Sequence, residues 1–411
     1  MIRILAMIQK IDFKKWTVVS LLVLWASATF SIALMEIAFM AALIFWAAYR
    51  VGTRPLISQK IDWTFWCPLA FFFAAVLLSV FFSEYPKQAF RGILKISKPL
   101  LVLLMCADVF RAGDARRRFD RAFLFTFLLV AVDCSVQYAF GKDILRGFPA
   151  QHSSAGLRLV GSFGDFGKMS AFLILVIPVF GMRVLSEFQD PANRKDSLFA
   201  LALALAAFTL LYLTRCRGPV VALVASLGCL FVYKRWFKAI GIGLVLFLAL
   251  LAVTPRGMII HLDAESKEQS IVERVELWKR ALDVIKAKPW LGTGINTYNV
   301  AHAKYDTNQS WRVRGYYAHN GYLQLAAEIG IPGISSFLFF LILFFIRGAR
   351  CANSVRGSPE ELTQLGMLTG LLAFLLYGLF DTNLQSPQSL ISFWFMAGVL
   401  LASQRPGPDR S

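Results

Sequence analysis

The chain has 411 residues, 57% of them hydrophobic and only 17% charged, with a mean hydropathy of +0.59. Soluble domains carry roughly 25% charged residues, so this composition excludes an ordinary water-soluble protein and predicts an all-α, polytopic integral membrane protein. The net charge of +18 does not imply nucleic acid here. Lys and Arg gather in the cytoplasmic loops of membrane proteins, with a remainder available for an anionic lipid substrate.

A helix needs about 20 mostly apolar residues to cross the hydrocarbon core. Taken in chain order, the apolar runs at 16–31, 33–49, 62–82, 92–110, 120–140, 169–186, 197–213, 218–233, 239–254, 321–347, 363–380 and 388–403 predict about twelve spans. The first lies behind Lys10, Lys14 and Lys15 with no small-residue cleavage site after it, and is expected to be a retained span, not a signal peptide. If the spans alternate, Lys14/Lys15, Arg50/Arg54/Lys60, the Arg111–Arg121 cluster, Arg194/Lys195, Lys234/Arg235/Lys238, Arg347/Arg350/Arg356 and Arg405 share one side. That side is expected to be the cytoplasm, with both termini in it.

The opposite face then receives two loops, 141–168 and 255–320. In the second, Ile271, Val275, Trp278, Leu282 and Ile285 recur at helical spacing and predict an amphipathic helix over 270–287. Pro289, Gly292 and Gly294 predict turns after it. No internal repeat or soluble domain interrupts residues 1–411, which read as one membrane domain with a helical cap. Cys67, Cys106, Cys134, Cys216, Cys229 and Cys351 lie in or beside apolar runs without C-x-x-C spacing, and read as small core residues.

Three places can carry chemistry. Arg215 and Arg217 occupy a short outer turn between two apolar helices. Cations there are costly unless they reach water, a carboxylate or a ligand. They either snorkel to lipid headgroups or hold phosphate oxygens, which a planar guanidinium suits. Arg217 also precedes a helix start, where the dipole favours an anion. Arg274 lies on the cap helix with a free head, whereas Arg280 has Glu276 four residues earlier as a pairing partner. His319 opens His319-Asn320-Gly321-Tyr322 at the outer boundary of a long apolar helix, whose N-terminus favours a neutral imidazole able to act as a base. It reads equally as an ordinary polar residue, and Asn320 as an N-cap. Gly330-Ile331-Pro332-Gly333 in the same helix predicts a kink or close packing. Asp263-Ala264-Glu265 is the nearest approach to a metal cluster, and neither a P-loop nor a dinucleotide fingerprint is present, so a site without metal or nucleotide cofactor is expected.

His319-Asn320, nine residues, then Gly330-Ile331-Pro332-Gly333 resembles the H-N-x9-G-x-x-G motif of the O-antigen ligase and polymerase superfamily of bacterial envelope enzymes. Gly161-Ser162-Phe163-Gly164, the Cys216-Arg217-Gly218 turn and the Glu273-Arg274 to Pro289-Trp290-Leu291-Gly292-Thr293-Gly294 run follow the same order. Cys216 stands where that family usually has Ser, and Asp165 where Asn is common. The resemblance implies a GT-C-like helical bundle in the bacterial inner membrane, with its site on the periplasmic face. It implies glycan transfer from undecaprenyl diphosphate to a hydroxyl of lipid A–core oligosaccharide. It assigns His319 as the base and Arg217, Arg274 and Arg215 to the diphosphate, with Asn320, Arg158, Gly330 and Gly333 in support. Alternatives are a lipid-linked glycan polymerase of the same superfamily and an O-linked protein glycosyltransferase, for which little chain follows the last span. A transporter is the rival from another class, with Asp133 and Glu36 as its intramembrane carboxylates.

Overall fold

The computed structural model describes residues 12–53, 62–111, 113–153, 156–188, 194–237, 264–305 and 317–403. Among the described residues thirteen α-helices run in the order α1 (Phe13–Ser27), α2 (Ile32–Gly52), α3 (Trp63–Phe81), α4 (Pro86–Val109), α5 (Gly113–Phe140), α6 (Phe166–Phe188), α7 (Arg194–Leu213), α8 (Arg217–Tyr233), α9 (Ala264–Ala287), α10 (Tyr298–Ala301), α11 (Gly321–Ser354), α12 (Pro359–Tyr377) and α13 (Pro387–Ser403). Eleven of the twelve expected spans coincide with helices; the twelfth, 239–254, lies outside the described residues. Six helices (α2, α3, α5, α6, α7 and α11) are long and apolar enough to cross a membrane, and α8 and α13 are shorter apolar helices. The architecture is that of a polytopic membrane protein with six clear crossings among the described residues; the expected count of twelve goes beyond them.

Helix starts follow local chemistry. Ser31 accepts from Leu34 N at 3.2 Å, Ser358 from Glu361 N at 3.3 Å, and Pro359 supplies a first-turn residue that needs no N–H partner. Inside the apolar helices, hydroxyls turn back onto their own backbone, as Thr126 does to Ala122 O and Thr369 to Leu365 O, each at 2.7 Å. Hydrocarbon offers no other partner. The bundle closes on Trp25 of α1, fully buried, whose ring meets Phe119 and Phe123 of α5, Phe172 of α6 and Phe395 of α13 at centroid distances of 5.3–5.9 Å. Around it α6 packs on α12 and α7, α13 on α4, and α11 on α3.

The fold is all-α apart from one short antiparallel hairpin in the first outer loop, β1 (Gln151–Ser153) with β2 (Gly156–Arg158). Three expectations are corrected. The cap helix α9 begins at Ala264, earlier than 270. Its buried face is also one residue out of phase with the apolar stripe. Leu277, Arg280, Ala281 and Val284 are buried, while Val275 and Leu282 are about 40% exposed. The small Ala281 lets α9 lie close against Tyr298, Ala318 and Ala327, a contact that residue hydrophobicity alone does not rank. Cys106 and Cys134 are buried as expected for core residues, but Cys67 and Cys229 are exposed. The two transporter carboxylates are both engaged. Asp133 accepts the backbone N–H groups of Ile144, Leu145 and Ser162, and Glu36 pairs with Lys98 at 2.5 Å.

Candidate active site

The start of α11 is stitched to the end of α12. Gly321 N donates to Gly378 O at 2.8 Å and to Asp381 O at 3.1 Å. A Cβ at Gly321 would come 3.0 Å from the Leu384 side chain, so a larger residue would have to push Leu384 back by a few tenths of an ångström. Asn320 is the N-cap, its Oδ1 accepting from Tyr322 N and Leu323 N at 3.1 Å. His319, immediately before it, adopts a left-handed backbone with φ 48°, uncommon for a non-glycine residue. The stitching brings His319 Nδ1 to 3.6 Å from Asp381 Oδ1, long for a hydrogen bond and within ion-pair range.

Asp381 then leads inward. It accepts from the Tyr377 hydroxyl and from Thr382 N, and the Tyr377 hydroxyl lies 3.9 Å from Cys216 Sγ at the start of α8. Burial pushes the Asp381 carboxyl up, but His319, Tyr377 and the Thr382 N–H outweigh it and hold the group below its ordinary value. A Cβ at Gly167, in the first turn of α6, would fall 3.1 Å from Asp381 Oδ2 and 3.2 Å from the Tyr377 hydroxyl. The N-terminal ends of α6, α8 and α11 therefore meet at one place, and their dipoles favour negative charge there.

The first outer loop braces the arginine turn. Arg158 Nε donates to Thr214 O at 3.0 Å and its Nη2 to Arg215 O at 3.3 Å, while its guanidinium covers the Phe166 ring at 3.7 Å. Arg215 takes φ 53° and stacks on Tyr212 at 4.3 Å. Arg217 opens α8 and is exposed, as is Arg274 on α9. Arg274 is nonetheless within electrostatic reach. Burial lifts the Cys216 thiol, Asp381 adds to that, and Tyr377, Arg158 and Arg274 pull against it. Cys216, Tyr377, Asp381 and His319 thus form one chain of contacts, braced by Arg158 through the backbone of Thr214 and Arg215, with Arg158 and Arg274 acting on it through space. Arg280 pairs with Glu276 at 3.7 Å, as its spacing implies.

Gly330 and Gly333 lie elsewhere. Gly330 (φ 74°, ψ 171°) breaks α11. The carbonyls freed by that break are taken by the turn after α9: Thr293 N donates to Ala327 O at 3.0 Å and Gly294 N to Glu328 O at 2.9 Å, with Ile331 N returning to Pro289 O at 2.8 Å. A Cβ at Gly330 would sit 2.2 Å from Trp290 O, and one at Gly292 2.3 Å from Glu328 C. Two glycine motifs far apart in sequence are therefore the two halves of one backbone joint that docks the cap.

Sequence reasoning missed Asp381, Tyr377 and Glu328. Glu328 is fully buried and its carboxylate accepts from Asn296 N at 2.8 Å, Gln324 Nε2 at 3.2 Å and Tyr298 N at 3.3 Å. Each carboxylate had a signal. Asp381 is the sole charged residue between Glu361 and Arg405, and Glu328 the sole one between His319 and Arg347. An isolated charge in apolar sequence marks a position with a specific partner.

Residues 201–338 match the family model for O-antigen ligase. Over that stretch, about a third of its length, the chain is similar to the O-antigen ligase family. The O-antigen ligase match takes in the arginine turn, Arg274, His319 and the Gly330–Gly333 break, while Arg158, Tyr377 and Asp381 come from outside it. No curated protein matches the chain. Members of this superfamily are membrane glycosyltransferases and ligases.

Proposed function

We propose that the chain is a ligase that moves a glycan from undecaprenyl diphosphate to a hydroxyl of lipid A–core oligosaccharide, on the periplasmic face of the bacterial inner membrane. The observation that carries this reading is the His319–Asp381 pair at 3.6 Å, set among three helix N-termini and beside exposed arginines. The acceptor hydroxyl must lose a proton as it attacks, and a neutral imidazole takes it. Asp381, kept ionised, orients His319 and stabilises the imidazolium that forms. The leaving group is already a diphosphate, so it needs charge stabilisation more than protonation. Arg217 and Arg274 provide that charge, and Arg215 completes the turn. Attack from the side opposite the diphosphate inverts the anomeric centre. Arg158 keeps the turn in place, Asn320 caps α11 so that His319 faces Asp381, Gly330 seats the cap, and Gly333 lets α11 pack against Ala75 of α3.

Opposed charge patterns support the orientation. The pairs Arg50–Asp108 at 2.6 Å, Arg347–Asp62 at 3.0 Å and Lys234–Glu361 join helix ends remote from His319, where the basic cytoplasmic loops are expected. The test is transfer by purified protein supplied with undecaprenyl-diphosphate-linked glycan and lipid A–core, with EDTA present. Glycan moved onto the core, read as a ladder shift on a gel, supports the ligase. Lengthening of glycan on the lipid carrier instead makes the chain a polymerase and overturns the acceptor assignment.

A further inference from the structure

A cavity of about 240 Å³ opens between α1, α2, α4 and α13, away from the arginine turn. Its walls are apolar, from Leu24, Met35, Phe39 and Ile391, yet α4 puts three cations into it, Arg91, Lys95 and Lys98. Their i, i+4, i+7 spacing places them on one helix face. Glu36 is the one carboxylate in the lining, and Lys98 already takes it at 2.5 Å. Lys95 reaches Asn296 Oδ1 at 3.4 Å and Gln385 Oε1 at 3.5 Å, with Glu328 behind it. Arg91 is exposed and has no partner among the described residues. The surplus positive charge of the cavity is therefore carried at Arg91.

The cavity is reached from the bilayer. Leu94 lines it and is half exposed, and Ile37, Met40 and Phe90 continue the exposed apolar surface beside it. An unpaired guanidinium on such a surface is costly unless an anion meets it, and phosphate is the anion its geometry fits. At ~30 Å³ per water-sized group, the volume takes a phosphate and the first few groups of one chain, not a whole lipid. The cavity is also coupled to the base. Asp381 faces His319 at one end of the segment 381–385, and Gln385 faces Lys95 at the other.

We propose that this cavity seats a phosphate of the acceptor lipid, held by Arg91 and Lys95, with the start of one acyl chain along the apolar wall. The assignment rests on the transfer reaction proposed above, which brings two membrane-anchored reactants to one base. The arginine turn serves the donor, and the α4 cavity, entered sideways from the bilayer, serves the acceptor.

The test is lipid retention by the full-length protein in detergent without donor, read by native mass spectrometry. The probes are lipid A with its phosphates, the same lipid dephosphorylated, phosphatidylglycerol at equal mole fraction, and inorganic phosphate. Phosphorylated lipid A is expected to be retained in preference to the other three, and Arg91→Gln to lower its retention by about tenfold, the scale of one charge-assisted hydrogen bond. Lys95→Gln is the second variant, expected to act in the same direction. Equal retention with and without the phosphates, or retention of phosphatidylglycerol or inorganic phosphate as strong as that of lipid A, overturns the site. A parallel transfer assay separates the two readings. Transfer with an unchanged acceptor KM in Arg91→Gln overturns the site and leaves the ligase standing; phosphate-dependent retention with no transfer does the reverse.

Discussion

The two walls of the site are built differently. His319 and Asp381 stand on backbone that other backbone holds, through the Gly321 N–H bonds to Gly378 and Asp381 and the Thr382 N–H bond to the carboxylate. Arg217 and Arg274 stand exposed on helices whose positions are set elsewhere, by Arg158 under the turn and by the glycine joint under the cap. The proposed acid–base wall is held in place by backbone bonds, whereas the proposed basic wall is left open to solvent. Preorganised groups act mainly on the rate of the chemical step, and exposed cations mainly on binding and approach.

The largest effect should come from the preorganised wall. His319→Ala is expected to lower transfer by about 10²–10⁴-fold with the donor KM unchanged; wild-type turnover in that variant would remove His319 as the base. Arg217→Ala and Arg274→Ala should each raise the donor KM by about 10–100-fold, the worth of a hydrogen bond to a charged group. Lys at either position should restore only part of it, because an ammonium lacks the bidentate fork. If these variants instead lower turnover with donor binding intact, the contrast between the walls is wrong.

Asp381→Asn keeps the shape and loses the charge, and should slow transfer by about tenfold without changing donor binding. It also carries a pH signature. The folded carboxyl lies below its ordinary value of 3.8, so its contribution to stability is complete above that value and is lost as pH falls through the lower folded one. The melting temperature of Asp381→Asn should therefore sit below wild type near about pH 6, and the gap should close only as pH falls from 3.8 through the lower folded value. A gap that persists in acid would mean the carboxylate is not held by its charge. The smallest effect should be Cys216→Ser, less than about threefold in rate, since a hydroxyl replaces a weak donor already 3.9 Å from Tyr377. A larger loss would make the thiol part of the chemistry.

Features written over a few neighbouring residues were legible before the fold. Asn320 as an N-cap, Arg280 with Glu276, and the break at Gly330 all follow from spacing and backbone preference, because their partners lie within one or two helical turns or in the residue itself. The buried face of α9 was misread for the opposite reason. Its apolar stripe is real, but the packing surface is chosen by the small Ala281 against Tyr298 and Ala327. The hairpin at 151–158 rests on two three-residue strands, too short to leave a period in the sequence.

Composition and charge by themselves determined that the chain lives in a membrane, roughly where its helices lie, and which few polar residues stand out of apolar runs. Apolar length and helical spacing are properties of contiguous sequence, and the bilayer selects on them directly. Only the tertiary structure decided that Asp381 lies against His319, that Glu328 holds the loop 296–298, and that Gly292 and Gly330 are two sides of one joint. Those contacts cross from 30 to 62 positions of sequence. They are set by which helices pack together, and that depends on side-chain shape at every interface at once.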